Sequence, residues 1–169
     1  MTIGRILGTT ISMYAGKNSV NTQSYGPESR GGACRSEVVI SDGEIYYPRV
    51  RMADILVALS QVALDTYSAD LKKGGILIID AEGVQSFPNQ KDITVIGIPT
   101  QEIAQAVGGV KCQNMVALGA LSTQMDWVSQ ASFERAISEG VPPKTITMNL
   151  EAFQKGREYV KNQREMRKG

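Results

Sequence analysis

Two short apolar runs constrain this chain more than any other feature: Ile76 to Asp80, and Ile93 to Ile98. A strand with one wet face alternates apolar and polar residues. Neither run alternates, so each is predicted to be a strand buried on both faces, as in parallel sheets covered by helices on either side. The residues after the second run agree. Thr100 is placed to cap a short helix reaching about Val107, which Gly108-Gly109 then closes. The predicted class is α/β: a single domain, residues 1–169, with a mixed, mostly parallel sheet flanked by helices and one β-hairpin.

The remaining elements are read from periodicity. Ile3, Ile6, Leu7, Ile11 and Tyr14 fall on one face of an opening helix that ends near Gly16. Val20 to Tyr25 alternates as a strand does. Arg35 to Ser41 and Glu44 to Tyr47 flank Asp42-Gly43, a strong local hairpin signal. Ala53 to about Leu71 reads as helix in two pieces, jointed near Ser60 or Gln61 and stopped by Gly74-Gly75. Asn114 to Thr123 is a helix rich in small residues around Gly119, suited to close approach by another helix or to simple internal packing. Helices at Ser132 to Ser138 and Asn149 to about Gln163 finish the chain, separated by Pro142-Pro143.

The composition excludes several chemistries. Among 169 residues there is no histidine, which removes His-based acid–base catalysis, Ser-His-Asp arrangements and His-ligated metals. Two cysteines, Cys34 and Cys112, cannot supply the four thiolates of an iron–sulfur cluster or a structural zinc, and are expected to be free thiols. A net charge of +1 argues against nucleic acid as a partner. No signal peptide, lipidation motif or long apolar run suggests a membrane, so the cytoplasm is the expected location. The charge is uneven, however. Lys155 to Gly169 carries +4 and leaves −3 on the rest. A cationic helix end is favoured by the helix dipole, and it would also suit an acidic partner.

One segment stands out as a candidate site: Ser24, Tyr25, Gly26, Glu28, Arg30, Gly31 and Gly32 within Ser24-Tyr25-Gly26-Pro27-Glu28-Ser29-Arg30-Gly31-Gly32-Ala33. Backbone N–H groups of a Gly-Gly turn can form a concavity that holds an anion, and a guanidinium forks onto phosphate or carboxylate. The same residues could equally form a connection whose Glu28 and Arg30 pair with each other. Asp80 and Glu82 follow a buried strand, where open α/β sheets bind ligands, but a turn carboxylate capping backbone is the stronger expectation. No catalytic or metal-binding residue is assigned to this chain.

The run from Thr22 through Arg30-Gly31-Gly32-Ala33-Cys34-Arg35-Ser36-Glu37-Val38-Val39-Ile40 to Asp42 resembles the gamma chain of 2-oxoacid:ferredoxin oxidoreductases, and the 2-oxoglutarate-type branch most of all. The resemblance continues through Asn114 to Leu121 and from Phe133 to Val160, and so spans essentially the whole chain. It implies an accessory subunit of a CoA-dependent enzyme that decarboxylates a 2-oxoacid and passes electrons to ferredoxin. Thiamine diphosphate and [4Fe-4S] clusters are implied on partner subunits, thiamine-binding and ferredoxin-type, with CoA bound by the assembled complex and no cofactor held by this chain. Residues Ser24 to Gly32 are implied to lie near CoA or at a subunit interface. Members of this family usually begin with a short strand and a Gly-Gly-Gln-Gly-type loop before the helix that starts here at Met1. An in-frame upstream extension of about 15–20 residues is therefore expected. The competing readings are a free-standing anion-binding domain and an indolepyruvate-type subunit of the same enzyme class.

Overall fold

The computed structural model describes residues 1–24, 34–87 and 92–166. Helix α1 spans Thr2–Thr9 and widens into a π-helical stretch over Thr10–Tyr14. It stops at Gly16, whose φ of 67° suits glycine. Ile6 and Ile11 are wholly buried, as their spacing predicts. Gly4 lets α1 press onto the next two strands: a Cβ there would lie 2.8 Å from Asn21 Nδ2 and closer still to Ser36 Oγ.

Those strands are β1, Asn18–Ser24, and β2, Arg35–Ser41, antiparallel from Asn18 opposite Ser41 to Ser24 opposite Arg35. They form a ribbon of their own rather than joining the parallel sheet. The hairpin expected around Asp42-Gly43 does not form, and Glu44 to Tyr47 is not a strand. The favoured two-residue hairpin turn needs positive φ at both central residues. Gly43 is not among the positive-φ glycines. Instead Asp42 pairs with Lys17, and Asn18 Nδ2 donates to the Gly43 carbonyl at 2.9 Å, so this dipeptide fastens the open end of the ribbon.

The second correction concerns Ala53 to Leu71, expected to be helical. Ala53–Ala58 is a strand, β3, and the helix α2 is confined to Gln61–Tyr67. Ile55-Leu56-Val57-Ala58-Leu59 is a short apolar run, which periodicity alone cannot divide between helix and strand. Pairing with a neighbouring strand decides it. The joint expected near Ser60 or Gln61 falls between strand and helix, not between two helices: Ser60 Oγ caps α2, accepting from the Ala63 amide at 3.2 Å. β4, Leu71–Asp80, lies centrally, parallel to β3 on one side and to β5, Thr94–Ile98, on the other.

Alternation along β4 sends its side chains to two cores. Ile78 joins Ile96 and Ile98 in the larger one, with α1 and the later helices, while Leu77 and Ile79 pack with Ala58, Leu64, Leu71 and Val84 beneath α2. Helix α3 is Thr100–Val107, closed by Gly108 at φ 147°. Helix α4, Gln113–Ser122, is buried on every side from Met115 to Ser122, the pattern of a helix at the centre of a layer. Helix α6, Ile146–Met166, packs along it, and α5, Gln130–Gly140, packs in turn on α6, with Phe133 and Phe153 stacked at 5.6 Å between ring centres.

Two glycines set the spacing of α4 and α6. A Cβ on Gly156 would lie 2.8 Å from the Val116 carbonyl carbon and closer to its oxygen. One on Gly119 would lie 3.0 Å from the Arg157 amide nitrogen and closer to the Phe153 oxygen. The close approach suggested by the small residues of α4 is therefore realised within this chain. The cationic end of α6 is also partly used internally. Arg157 Nη1 donates to Ser122 Oγ at 2.6 Å, and Arg164 reaches the Thr123 carbonyl and Gln124 Oε1 at the end of α4.

Candidate functional site

Ser24 is the last residue of β1, exposed, and faces Arg35 across the ribbon. Tyr25, Gly26, Glu28, Arg30, Gly31 and Gly32 lie outside the described residues. What can be built is the frame on which that segment is mounted, the paired ends of β1 and β2.

Arg35 organises this frame. Its guanidinium stands 3.4 Å from Asp70 Oδ2 and 3.7 Å from Glu37 Oε1, and lies over the Tyr67 ring at 5.4 Å from the centroid. The Glu37 side chain is only 11% exposed, so this pair is sheltered from water. Thr22 Oγ1 donates to Glu37 Oε2 at 3.1 Å from the opposite strand. Asn21 Nδ2 donates to Ser36 Oγ and to the Glu37 carbonyl. With carboxylates on two sides and a ring on its face, Arg35 is occupied in joining β2 to the end of α2. It is not an unpaired cation waiting for an anion. No local motif announces this clamp, because Asp70 lies 35 residues from Arg35.

The second candidate lies at the carboxyl end of β4. Asp80 is wholly buried. Its Oδ1 accepts from the Thr100 amide at 2.9 Å and the Thr100 hydroxyl at 2.7 Å, and its Oδ2 accepts from the Gly83 amide at 2.9 Å. Gln113 Nε2 donates to the same hydroxyl at 2.8 Å. Asp80 is therefore a structural carboxylate that fixes the turn after β4 and sits at the N-terminus of α3, where the helix dipole favours it. Thr100 was expected to cap α3. Pro99 holds that position, Thr100 is the first helical residue, and Asp80 supplies the oxygen from across the sheet. Glu82 is exposed and does not join Asp80 in a metal- or ribose-binding pair.

The two cysteines are both free and occupy unlike surroundings. Cys34 is exposed just before β2. Cys112 is buried, its thiol 3.0 Å from the Gly109 carbonyl, and burial pushes its pKa up. Neither placement fits a cluster, and no group of three metal-ligating side chains occurs among the described residues. No helix among them is long and apolar enough to cross a membrane.

Residues 1–159 match the family model for pyruvate ferredoxin/flavodoxin oxidoreductase. The chain belongs to that family. It is 48% identical to the 2-oxoglutarate synthase subunit KorC of Methanothermobacter marburgensis, across 93% of this chain and 88% of that one. The ketoisovalerate oxidoreductase subunit VorA of the same organism is 30% identical over 92% of this chain, which corresponds to only 34% of VorA. Among solved structures, the gamma subunit of a keto/oxoacid ferredoxin oxidoreductase from Geobacter sulfurreducens superposes with a TM-score of 0.82. The two are 40% identical, over 94% of this chain and 89% of that one.

Proposed function

We propose that this chain is the gamma-type subunit of a cytoplasmic CoA-dependent 2-oxoglutarate:ferredoxin oxidoreductase, acting beside thiamine-binding and ferredoxin-type chains. In that reaction the 2-oxoacid loses carbon dioxide, its acyl carbon passes to the sulfur of CoA, and the electron pair leaves to ferredoxin. The observation that carries the reading is the nearly end-to-end match to KorC at 48% identity, against 30% for VorA. Arg30 and the amides of Gly31 and Gly32 have the donor chemistry suited to a phosphate of CoA, which when bound supplies the acyl-accepting thiol. On this chain the task of Arg35, Glu37 and Asp70 is to hold the two strand ends from which that segment departs.

The test is to tag this chain in its source organism and purify it under mild conditions. Thiamine-binding and cluster-bearing chains should come with it. The preparation should reduce ferredoxin in a CoA-dependent way, with a higher kcat/KM for 2-oxoglutarate than for pyruvate, 2-oxoisovalerate or indolepyruvate. A chain that purifies without partners supports the free-standing anion-binding domain instead. Preference for another oxoacid removes the substrate assignment.

A further inference from the structure

A second surface, at the opposite end of the ribbon from Ser24, has the make-up of a docking site. Between β2 and β3 the chain has no helix or strand, and from Glu44 to Met52 it makes no backbone-to-backbone hydrogen bond among the described residues. This stretch nevertheless displays large side chains. Tyr46 is 88% exposed, Tyr47 51% and Met52 49%. The Arg51 guanidinium lies over Tyr47 at 4.8 Å from the ring centroid. At the start of the segment Asp42 lines an open hollow of about 320 Å³ with Trp127, itself 48% exposed. Tyr, Trp, Met and Arg are the residues enriched where protein interfaces concentrate their binding energy. Isolated exposed apolar side chains need no explanation, but several along one short segment mark an interaction site.

The charges say what kind of surface fits. Lys17, beside the hollow, is already paired with Asp42 and lies over Trp127. Arg49 and Arg51 have no carboxylate within ion-pair distance among the described residues, and both are exposed. The same stretch, Glu44 to Met52, carries one exposed carboxylate, Glu44, hydrogen-bonded to Tyr46. The two unpaired guanidinium groups therefore leave the aromatic face net cationic and complementary to an apolar patch edged with carboxylates.

We infer that the segment from Asp42 to Met52, with the hollow at Trp127, is a face on which this subunit docks against another protein chain of the same oxidoreductase, one that offers carboxylates to Arg49 and Arg51. The inference rests on the proposed subunit role, and the two can fail separately. In the first experiment the tagged chain carries Tyr46→Ala with Tyr47→Ala, or Arg49→Glu with Arg51→Glu, and the partner chains recovered per tagged chain are quantified. Recovery should fall roughly tenfold or more for either pair, while Arg49→Lys with Arg51→Lys should largely keep it. In the second, the wild-type complex and the wild-type chain alone are oxidised with hydroxyl radicals. Tyr46, Met52 and Trp127 should be protected in the complex. If the wild-type chain recovers no partner, the subunit role itself falls. If partners are recovered undiminished by the variants, or if the three side chains oxidise equally in both states, this face is not the docking surface.

Discussion

Replacing Gly156 by alanine isolates one contact whose energetic sign is not obvious in advance. In an exposed helix the change would stabilise, since alanine is favoured over glycine by about 0.8–1.0 kcal/mol in a helix interior. Here the added methyl carbon would meet the Val116 backbone at 2.8 Å to the carbonyl carbon, with the oxygen nearer still. A backbone atom has no rotamer to move to, so relief requires α6 to withdraw from α4 along a seam that includes Ala152, Phe153 and Val160, all fully or nearly fully buried. Overpacking of this kind costs about 1–3 kcal/mol or more, and a backbone obstacle places it at the upper end. The net expectation is a loss of about 2 kcal/mol, or roughly 4–8 °C in Tm for a domain of this size. Gly8→Ala is the internal comparison. A Cβ there meets only Asn21 Cβ at 3.5 Å and Ser19 Oγ at 3.6 Å, ordinary contact distances, so it should hold or raise Tm. Thermal unfolding followed by circular dichroism measures both. Combining Gly119→Ala with Gly156→Ala should cost less than the sum of the two, because one separation of the helices relieves both clashes. If Gly156→Ala raises Tm as Gly8→Ala does, the idea that backbone contact fixes the α4–α6 spacing is wrong.

Removing other contacts gives equally definite outcomes. Asp80→Ala leaves the Thr100 and Gly83 amides without their acceptor and should cost more than about 2 kcal/mol in urea unfolding, with Asp80→Asn milder. The Glu139 carboxyl is held below the usual glutamate range by the hydrogen bond it accepts from Tyr14, with Arg135 adding to the effect. A lowered folded-state pKa means the contact stabilises above the ordinary glutamate range and is lost as pH falls through the lowered value. Tyr14→Phe should therefore move the Glu139 titration, followed by carbon-detected NMR, back upward, and an unmoved titration would reject the assignment. Arg30→Ala should weaken assembly or CoA binding by about 1.5–3 kcal/mol if Arg30 meets a ligand or partner. It should cost only about 0–1 kcal/mol of domain stability if Arg30 merely pairs with Glu28, so comparing Tm with complex yield separates the two.

The parts of the fold legible in the sequence are those where one local signal had no rival. The second half of β4, β5 and α3 are found because uninterrupted apolar runs end in turns and α3 closes on glycine, whereas Leu71 to Gly75, read as a helix end and its glycine stop, belong to β4. β3 was misread because five apolar residues before Ser60 satisfy helix and strand alike, and only pairing with β4 separates them. The ribbon was misjudged for a related reason. Asp42-Gly43 is a strong hairpin signal, but β2 takes β1 as its partner across a longer connection that no dipeptide announces. At the site, the capping role of Asp80 could be anticipated from its place after a buried strand. The Arg35–Asp70 clamp could not, since it joins residues far apart in sequence. Likewise the small residues of α4 announced close packing without naming Gly156 as the counterpart.

The unequal sides of β4 carry a consequence for how the molecule opens. One side of the sheet rests on the main core, to which α1, α3, α4, α5 and α6 all contribute buried side chains. The other is roofed, among the described residues, by the seven-residue α2, which contributes Leu64 as its one buried side chain. Native-state fluctuations select the region with least buried apolar area. α2 and the turn after β4 should therefore detach as a unit at a small fraction of the global unfolding free energy, and their amides should exchange with solvent through that excursion. Amides of α4, enclosed on every side, should exchange only when the whole domain unfolds.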